Sequence, residues 1–296
     1  MILADQRATG DTNFVFRLNG DTGSNYAQRA SYNGGTDGTS GSNSGLMGNW
    51  GSAITTNAFH VGYLTNLAAK EKLAIFSTVR QQAAGAGYYP DRQEGVGKHA
   101  QTSNAVSAIS MTNTDTGGYL AESEVVVLGW DPEDTHTTNF WAELSSTTLG
   151  SANATIDSGT ITAKKYLWFQ VFSAGSTASN RCHVRINSVS TGIYVDRYSS
   201  DGASDATDVN SGSSRISNIN DTNPKFLSGF IINTAETAKL GIASEVTRNS
   251  SGSGSATQRT ESVIKITTDT QATSLQIINL SGNWSAGSIL KVWGSD

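Results

Sequence analysis

The chain has 296 residues, with 31 glycines, three prolines, one cysteine and a net charge of −5 from 20 Lys and Arg against 25 Asp and Glu. It lacks both the helix-forming composition of long helices and any basic run that would neutralise a phosphate backbone, which argues against an all-helical fold and against nucleic acid as a partner. A lone thiol, Cys182, cannot build a disulfide framework, and no apolar run approaches the roughly 18 residues of a membrane-spanning helix.

From the N-terminus, "MILADQRATGD" has no basic region followed by an apolar core, so no secretory signal and no membrane anchor are expected. "FVFRL" then reads as a short strand that runs into "RLNGDTGSNYAQRASYNGG" from Arg17. Further strands follow at "KLAIFSTV", "RQEGVGK", "SAISMTN" and "SEVVVLG", each short and bounded by Gly, Asn, Asp or Ser. In the second half come "KKYLWFQVF", "RINSVSTGIYVDRYSSDGA" from Arg185, "RTESVIK", "SLQIIN" and "SILKVWG".

The second series repeats the first in order. Arg17 matches Arg185, Asn19 matches Asn187, Tyr26 matches Tyr194 and Arg29 matches Arg197. Downstream, Phe59 matches Phe226, Gly62 matches Gly229, Lys72 matches Lys239, and the period-two residues of "RQEGVGK" match those of "RTESVIK". Such ordered self-similarity predicts an all-β protein of two tandem jelly-roll-like β-sandwiches related by internal duplication, each of about eight strands. The expected boundaries are 1–131 for the first repeat, 132–138 for a linker and 139–296 for the second repeat. The first repeat has no evident counterpart to "ITAKKYLWFQVF", so it is expected to lack its leading strand and to leave an edge that a neighbouring subunit covers or, alternatively, that the N-terminal "MILADQRATGDTN" or the linker after Asp131 folds back to cover.

Candidate chemistry is sparse. Arg17 and Arg185, with Tyr26 and Tyr194 nearby, read as loop ties: a guanidinium fork on loop carbonyls and a packed ring. His60, His99, His136 and His183 stand at no ligand spacing to one another or to Cys182, so no metal and no cofactor are expected. The acidic stretches "NGDTGSN" and "DGASDATD" lack EF-hand spacing and read as turns. Asp91, Glu94, Glu122 and Glu124 share a region, yet nothing in their spacing defines a paired acid and base, and "RQEGVGK" and "RTESVIK" read as charged strand faces. No nucleophile elbow, phosphate loop or zinc-protease motif occurs, so no enzyme is expected. The loop "GAGYYPDRQ" carries Tyr88 and Tyr89 where the second repeat has "NSSGSGSATQ", and these two tyrosines are the candidate ligand or interface contacts.

The phrases "RLNGDTGSNYAQR", "ITAKKYLWFQV", "SAISMTNTDTGGYLAESEVVVLGWD" and "SLQIINLSGNWSAGSILKVWG" resemble structural proteins of tailed phages and related marine or environmental viruses. The second copy departs from the pattern, with Ser188, Val189 and Ser190 where the first has Gly20, Asp21 and Thr22. The resemblance implies a non-enzymatic virion protein that forms or decorates a capsid, tail or fibre, assembled in the host cytoplasm and exposed outside the cell. Its implied partners are further copies of itself and other virion proteins. The alternative is a carbohydrate-binding jelly-roll module that recognises a host-surface glycan.

Overall fold

The computed structural model describes residues 1–10, 13–47, 56–129, 139–251 and 253–296; the expected linker 132–138 lies outside them. Two units result, Met1–Gln82 with Asp91–Thr135, and Ala83–Pro90 with His136–Asp296. The expected boundaries place Ala83–Pro90 in the first repeat, whereas this segment is part of unit 2.

Unit 1 contains β1 (Ile2–Gln6), β2 (Phe14–Leu18), β3 (Tyr26–Tyr32), β4 (Gly38–Asn43), β5 (Leu46–Met47), β6 (Ala58–Leu64), β7 (Lys72–Arg80), β8 (Asp91–His99), β9 (Ile109–Asn113) and β10 (Glu124–Val127). Unit 2 contains β11 (Ala142–Thr148), β12 (Thr155–Asp157), β13 (Tyr166–Ser173), β14 (Cys182–Ile186), β15 (Tyr194–Ser200), β16 (Ala206–Ser211), β17 (Ser214–Arg215), β18 (Lys225–Ile232), β19 (Lys239–Thr247), β20 (Gln258–Ile266), β21 (Leu275–Asn279) and β22 (Ile289–Ser295). The protein is all-β, and every strand pair among the described residues is antiparallel.

Each unit sets a large sheet against a small one. Unit 1 has the order β10-β1-β6-β7-β8-β3-β4 beside β5-β2-β9; unit 2 has β11-β22-β13-β18-β19-β20-β15-β16 beside β12-β21-β14-β17. The strand count therefore exceeds the expected eight per repeat, and the two sheets of each unit are unequal. Alternation supplies the core between them: Leu167, Phe169 and Val171 of β13 point inward with Val184, Ile277, Leu290 and Trp284. In unit 1 the same space holds Ala4, Phe14, Phe16, Leu18 and Tyr26. Burying each large apolar side chain stabilises the fold by about 1.5–3 kcal/mol.

The strand order corrects the expectation of a missing leading strand and agrees with the alternative that the N-terminal segment covers the edge from within. Strand β1 lies between β10 and β6, the place that β13 holds between β22 and β18. Its sequence hides it, because Asp5 and Gln6 are buried polar residues in a segment that reads as a polar tail. What unit 1 lacks, among the described residues, is the strand outside β10 and the one outside β9. In unit 2, β11 pairs with β22 and β12 with β21 at those places. The consequence is local: Val127 of β10 is 52% exposed, whereas Val292, at the matching place in β22, is fully buried.

The repeated phrase around Arg17 and Arg185 builds the same turn twice. Arg17 Nε donates to the Ser44 carbonyl at 3.1 Å, and Arg185 Nε donates to the Gly212 carbonyl at 2.8 Å. The Tyr26 hydroxyl accepts from the Leu18 amide at 3.0 Å, as that of Tyr194 does from Ile186 at 3.1 Å. Asn19 Oδ1 gathers the amides of Ser107 and Ala108, and Asn187 Oδ1 those of Thr273 and Ser274. The arginines and tyrosines bind buried or half-buried main-chain groups and the asparagines tie down loop amides, so the same residue types do the same work in both units.

Candidate functional site

Antiparallel register lines up one outward row across each large sheet. In unit 2 the row runs Arg197, Val263, Ile242, Phe230, Trp168, Trp293. In unit 1 it runs Arg29, Val96, Ile75, Tyr63. Both rows are apolar between a cation at one end and an aromatic ring, and a second cation, Lys98 or Lys265, follows two residues along β8 or β20.

In unit 2 the cationic end of this row is closed by Ala83–Pro90. Arg197 Nε donates to the Pro90 carbonyl at 2.8 Å, and its guanidinium lies 4.7 Å from the centre of the Tyr89 ring. Lys265 Nζ donates to the carbonyls of Ala83, at 2.9 Å, and Tyr88, and the Asn210 amide donates to the Ala86 carbonyl at 3.1 Å. Arg197 also faces Asp205 at 3.7 Å, with Asp205 buried. Val263 and Lys265 are shut away from water. The main-chain oxygens accept from the ammonium of a lysine that has no exposure.

In unit 1 the matching surface is open. Arg29 faces Asp37 at 3.7 Å and Lys98 faces Glu71 at 3.2 Å, and all four side chains are in water. Tyr63, Leu73, Ile75 and Val96 are each about half exposed. Together with Arg29 and Lys98 they line a groove of about 910 Å³. A contiguous apolar patch with a charged rim is the usual mark of an interaction surface.

The far end of the unit 2 row is aromatic. Trp168 stacks on Trp293 at 4.5 Å and on Phe230 at 6.0 Å, and Trp141 closes on Trp168 at 5.9 Å. These rings spend their faces on one another, and Trp168 Nε1 donates to Ser228 Oγ at 3.0 Å.

The sequence-predicted residues are placed as follows. Tyr88 is 57% exposed and gives its carbonyl to Lys265, while Tyr89 is 39% exposed and gives its ring to Arg197. Asp91 is paired with Arg80 at 2.8 Å, which with Asn33 holds its carboxyl below the usual range despite burial. Glu94 is paired with Arg92 and Glu122 with Arg7. Asp21 caps its own turn at Gly23 and meets His99 Nε2 at 2.8 Å, a contact that lowers its pKa. Asp201 accepts from the Arg259 amide and Asp208 pairs with Arg215. His60 and His183 are buried on hydroxyls of Thr78 and Ser213, and desolvation, with Arg80 and Arg215 respectively as the next cause, lowers each to about 3. The Cys182 thiol is buried and pushed up by desolvation. His136 lies outside the described residues. Among the described residues no three His, Cys, Asp or Glu side chains are grouped to hold a metal ion.

Lys265 changes the reading of "RTESVIK" as a charged strand face: Arg259 and Glu261 pair at its start, but its last cation lies under Ala83–Pro90. The row itself escaped the sequence reading. Its signal is present, since Val96, Ile75 and Tyr63 sit at outward positions where a solvated sheet would carry polar residues.

No family model and no curated protein matches the chain. Among solved structures, the mouse laminin alpha1 chain, domains LG4-5, aligns over 98% of this chain and 82% of its own at 9% identity, with a TM-score of 0.23. A likeness at that level carries no argument about fold or function.

Proposed function

We propose that this chain is a non-enzymatic structural protein that acts by self-association, forming or decorating a virion. The observation that carries the reading is the apolar row of unit 1, open at Tyr63, Ile75 and Val96, where the same row of unit 2 is closed by protein. An exposed face built like a covered one is what an assembly contact requires, and the occupant is a second copy of the chain. The virion setting is supported by the resemblance of the "RLNGDTGSNYAQR" and closing-strand phrases to phage and viral structural proteins. The shared strand order and the twice-built turn support descent of the two units from one duplicated module. Sedimentation velocity and electron microscopy of the purified full chain test the reading: assembly that grows with concentration is expected, and a strict monomer overturns it. A glycan array and a polysaccharide hydrolysis panel are expected to read blank; binding or cleavage there would favour the sugar-recognising alternative or an enzyme.

A further inference from the structure

Building on the assembly reading above, we propose that the open face of unit 1 receives the β19–β20 connection, residues 248–257, of a second copy, so that copies join head to tail. In unit 2 the face is closed by Ala83–Pro90, which fill most of the β7–β8 connection, residues 81–90. Strand order makes the β19–β20 connection its counterpart, and it has the same length, between Thr247 and Gln258 as the other lies between Arg80 and Asp91. Its described residues from Arg248 to Thr257 are exposed.

The recognition chemistry tolerates the change from "AAGAGYYP" to a Ser/Gly-rich sequence. Lys265 and Arg197 take hold of main-chain carbonyls, those of Ala83, Tyr88 and Pro90, so any connection that can bring its backbone close satisfies them. Glycine and serine allow that approach. On the receiving side the cations are preset, since Arg29 and Asp37 keep the same 3.7 Å spacing as Arg197 and Asp205. A face-to-face dimer is the poorer solution, because an outward sheet face offers neither Arg29 nor Lys98 the main-chain carbonyls that Arg197 and Lys265 receive. Loop and face are different surfaces, so the contact is heterologous and propagates into a ring or a fibre.

The test uses the full chain and two variants. One carries Arg29→Glu with Lys98→Glu, both exposed positions; the other has residues 248–257 replaced by an Asn-Gly turn, which connects antiparallel strands directly. Circular dichroism and the melting midpoint establish that each is folded. Sedimentation is expected to show each variant associating at least roughly tenfold more weakly than wild type. Mixed together, they are expected to form a heterodimer and nothing larger, because one retains only the loop and the other only the face. Should wild type assemble while both variants assemble equally well, the head-to-tail contact is wrong and the assembly reading stands. Loss of assembly in the face variant but not in the loop variant, ending at a dimer in wild type, would show face-to-face pairing instead. A monomeric wild type overturns both.

Discussion

Gly62 and Gly229 stand at the same place in β6 and β18, opposite Ile2 of β1 and Phe169 of β13. A side chain at Gly229 would meet the buried Phe169 ring at 2.5 Å; at Gly62 the nearest atom is 3.6 Å away. Lys98 and Lys265 differ in the same manner, one in water and one buried under Ala83–Pro90. Identity between the two halves therefore marks a shared place in the fold without marking a shared constraint. The constraint comes from what lies across the sheet or over it, and that neighbour is often a residue that differs.

The largest effect expected concerns the buried cations. In unit 2 Lys225, with no exposed side chain, meets Asp221 at 2.7 Å, Glu245 at 3.4 Å and the Ile219 carbonyl at 2.8 Å. The matching place in unit 1 holds Ala58, and the buried cation there is Arg80 of the next strand, paired with Asp91. Lys225→Ala leaves Glu245 buried without its cation and is expected to cost about 3–5 kcal/mol, read from urea unfolding midpoints. Adding Glu245→Gln should recover part of the loss. A cost below about 1 kcal/mol would mean that the pair is not desolvated as drawn.

Next comes the glycine pair. Gly229→Ala forces the Phe169 ring from a filled core and is expected to cost about 1–3 kcal/mol. Gly62→Ala has room and is expected to be neutral or to stabilise by up to about 1 kcal/mol. Equal effects at the two places would erase the contrast.

Acidification should separate the units. His60 in unit 1 and His183 in unit 2 are held to about 3, well below the usual imidazole range, so the unfolded chain binds the extra protons and stability falls as pH drops from about 6.5 toward 3. Asp196 in unit 2 runs the other way. Burial, the leading cause, raises it to about 8, with Asp208 adding repulsion, so the folded chain holds that proton and stability falls as pH rises from about 4 to 8. Each group contributes a slope of up to about 1.4 kcal/mol per pH unit. Between pH 4 and 6.5 the slopes of His183 and Asp196 oppose one another in unit 2, while that of His60 acts on unit 1. Hydrogen exchange, corrected for the intrinsic rate, should show β6 losing protection on going from pH 7 to 5 more than β14. Asp196→Asn keeps an acceptor for the Arg215 amide, bonded at 2.9 Å, and should make unit 2 as acid-sensitive as unit 1.

Most strands were legible because apolar residues recur with period two between Gly, Asn and Ser turns, as in "FVFRL" and "SLQIIN". Strand β1 was legible only as a segment that could fold back over an edge, since Asp5 and Gln6 are buried in a sheet whose neighbours on both sides satisfy its backbone, a fact that pairing alone supplies. The contrast between "GAGYYPDRQ" and "NSSGSGSATQ" is visible in the sequence; that the first of these belongs with unit 2 is not, because periodicity identifies a face and cannot say what covers it. The loop-tying role of Arg17 and Arg185 was readable for a chemical reason: a guanidinium next to turn residues has carbonyls within reach and no carboxylate beside it in the chain.

The smallest effect tests the turn between β2 and β3 against the turn between β14 and β15. Both close with one main-chain bond, Asp21 to the Leu18 carbonyl at 3.1 Å and Val189 to the Ile186 carbonyl at 3.0 Å. Both place two consecutive residues at positive φ, Asn19 and Gly20 in unit 1, and Asn187 and Ser188 in unit 2. Two successive positive φ angles make this a type I′ turn within a longer connection, a geometry that favours Asn-Gly, and at φ 57° Ser188 bears a Cβ where Gly20 has none. The left-handed region costs an ordinary residue about 1 kcal/mol, and glycine offsets part of that relief by a more flexible unfolded chain. Ser188→Gly is therefore expected to stabilise unit 2 by about 0.5–1 kcal/mol, and Gly20→Ser to destabilise unit 1 by a similar amount, both read from urea midpoints. Opposite signs at the two places confirm that the turns are mechanically the same; a loss of stability in Ser188→Gly would show that the serine side chain contributes more than its backbone costs.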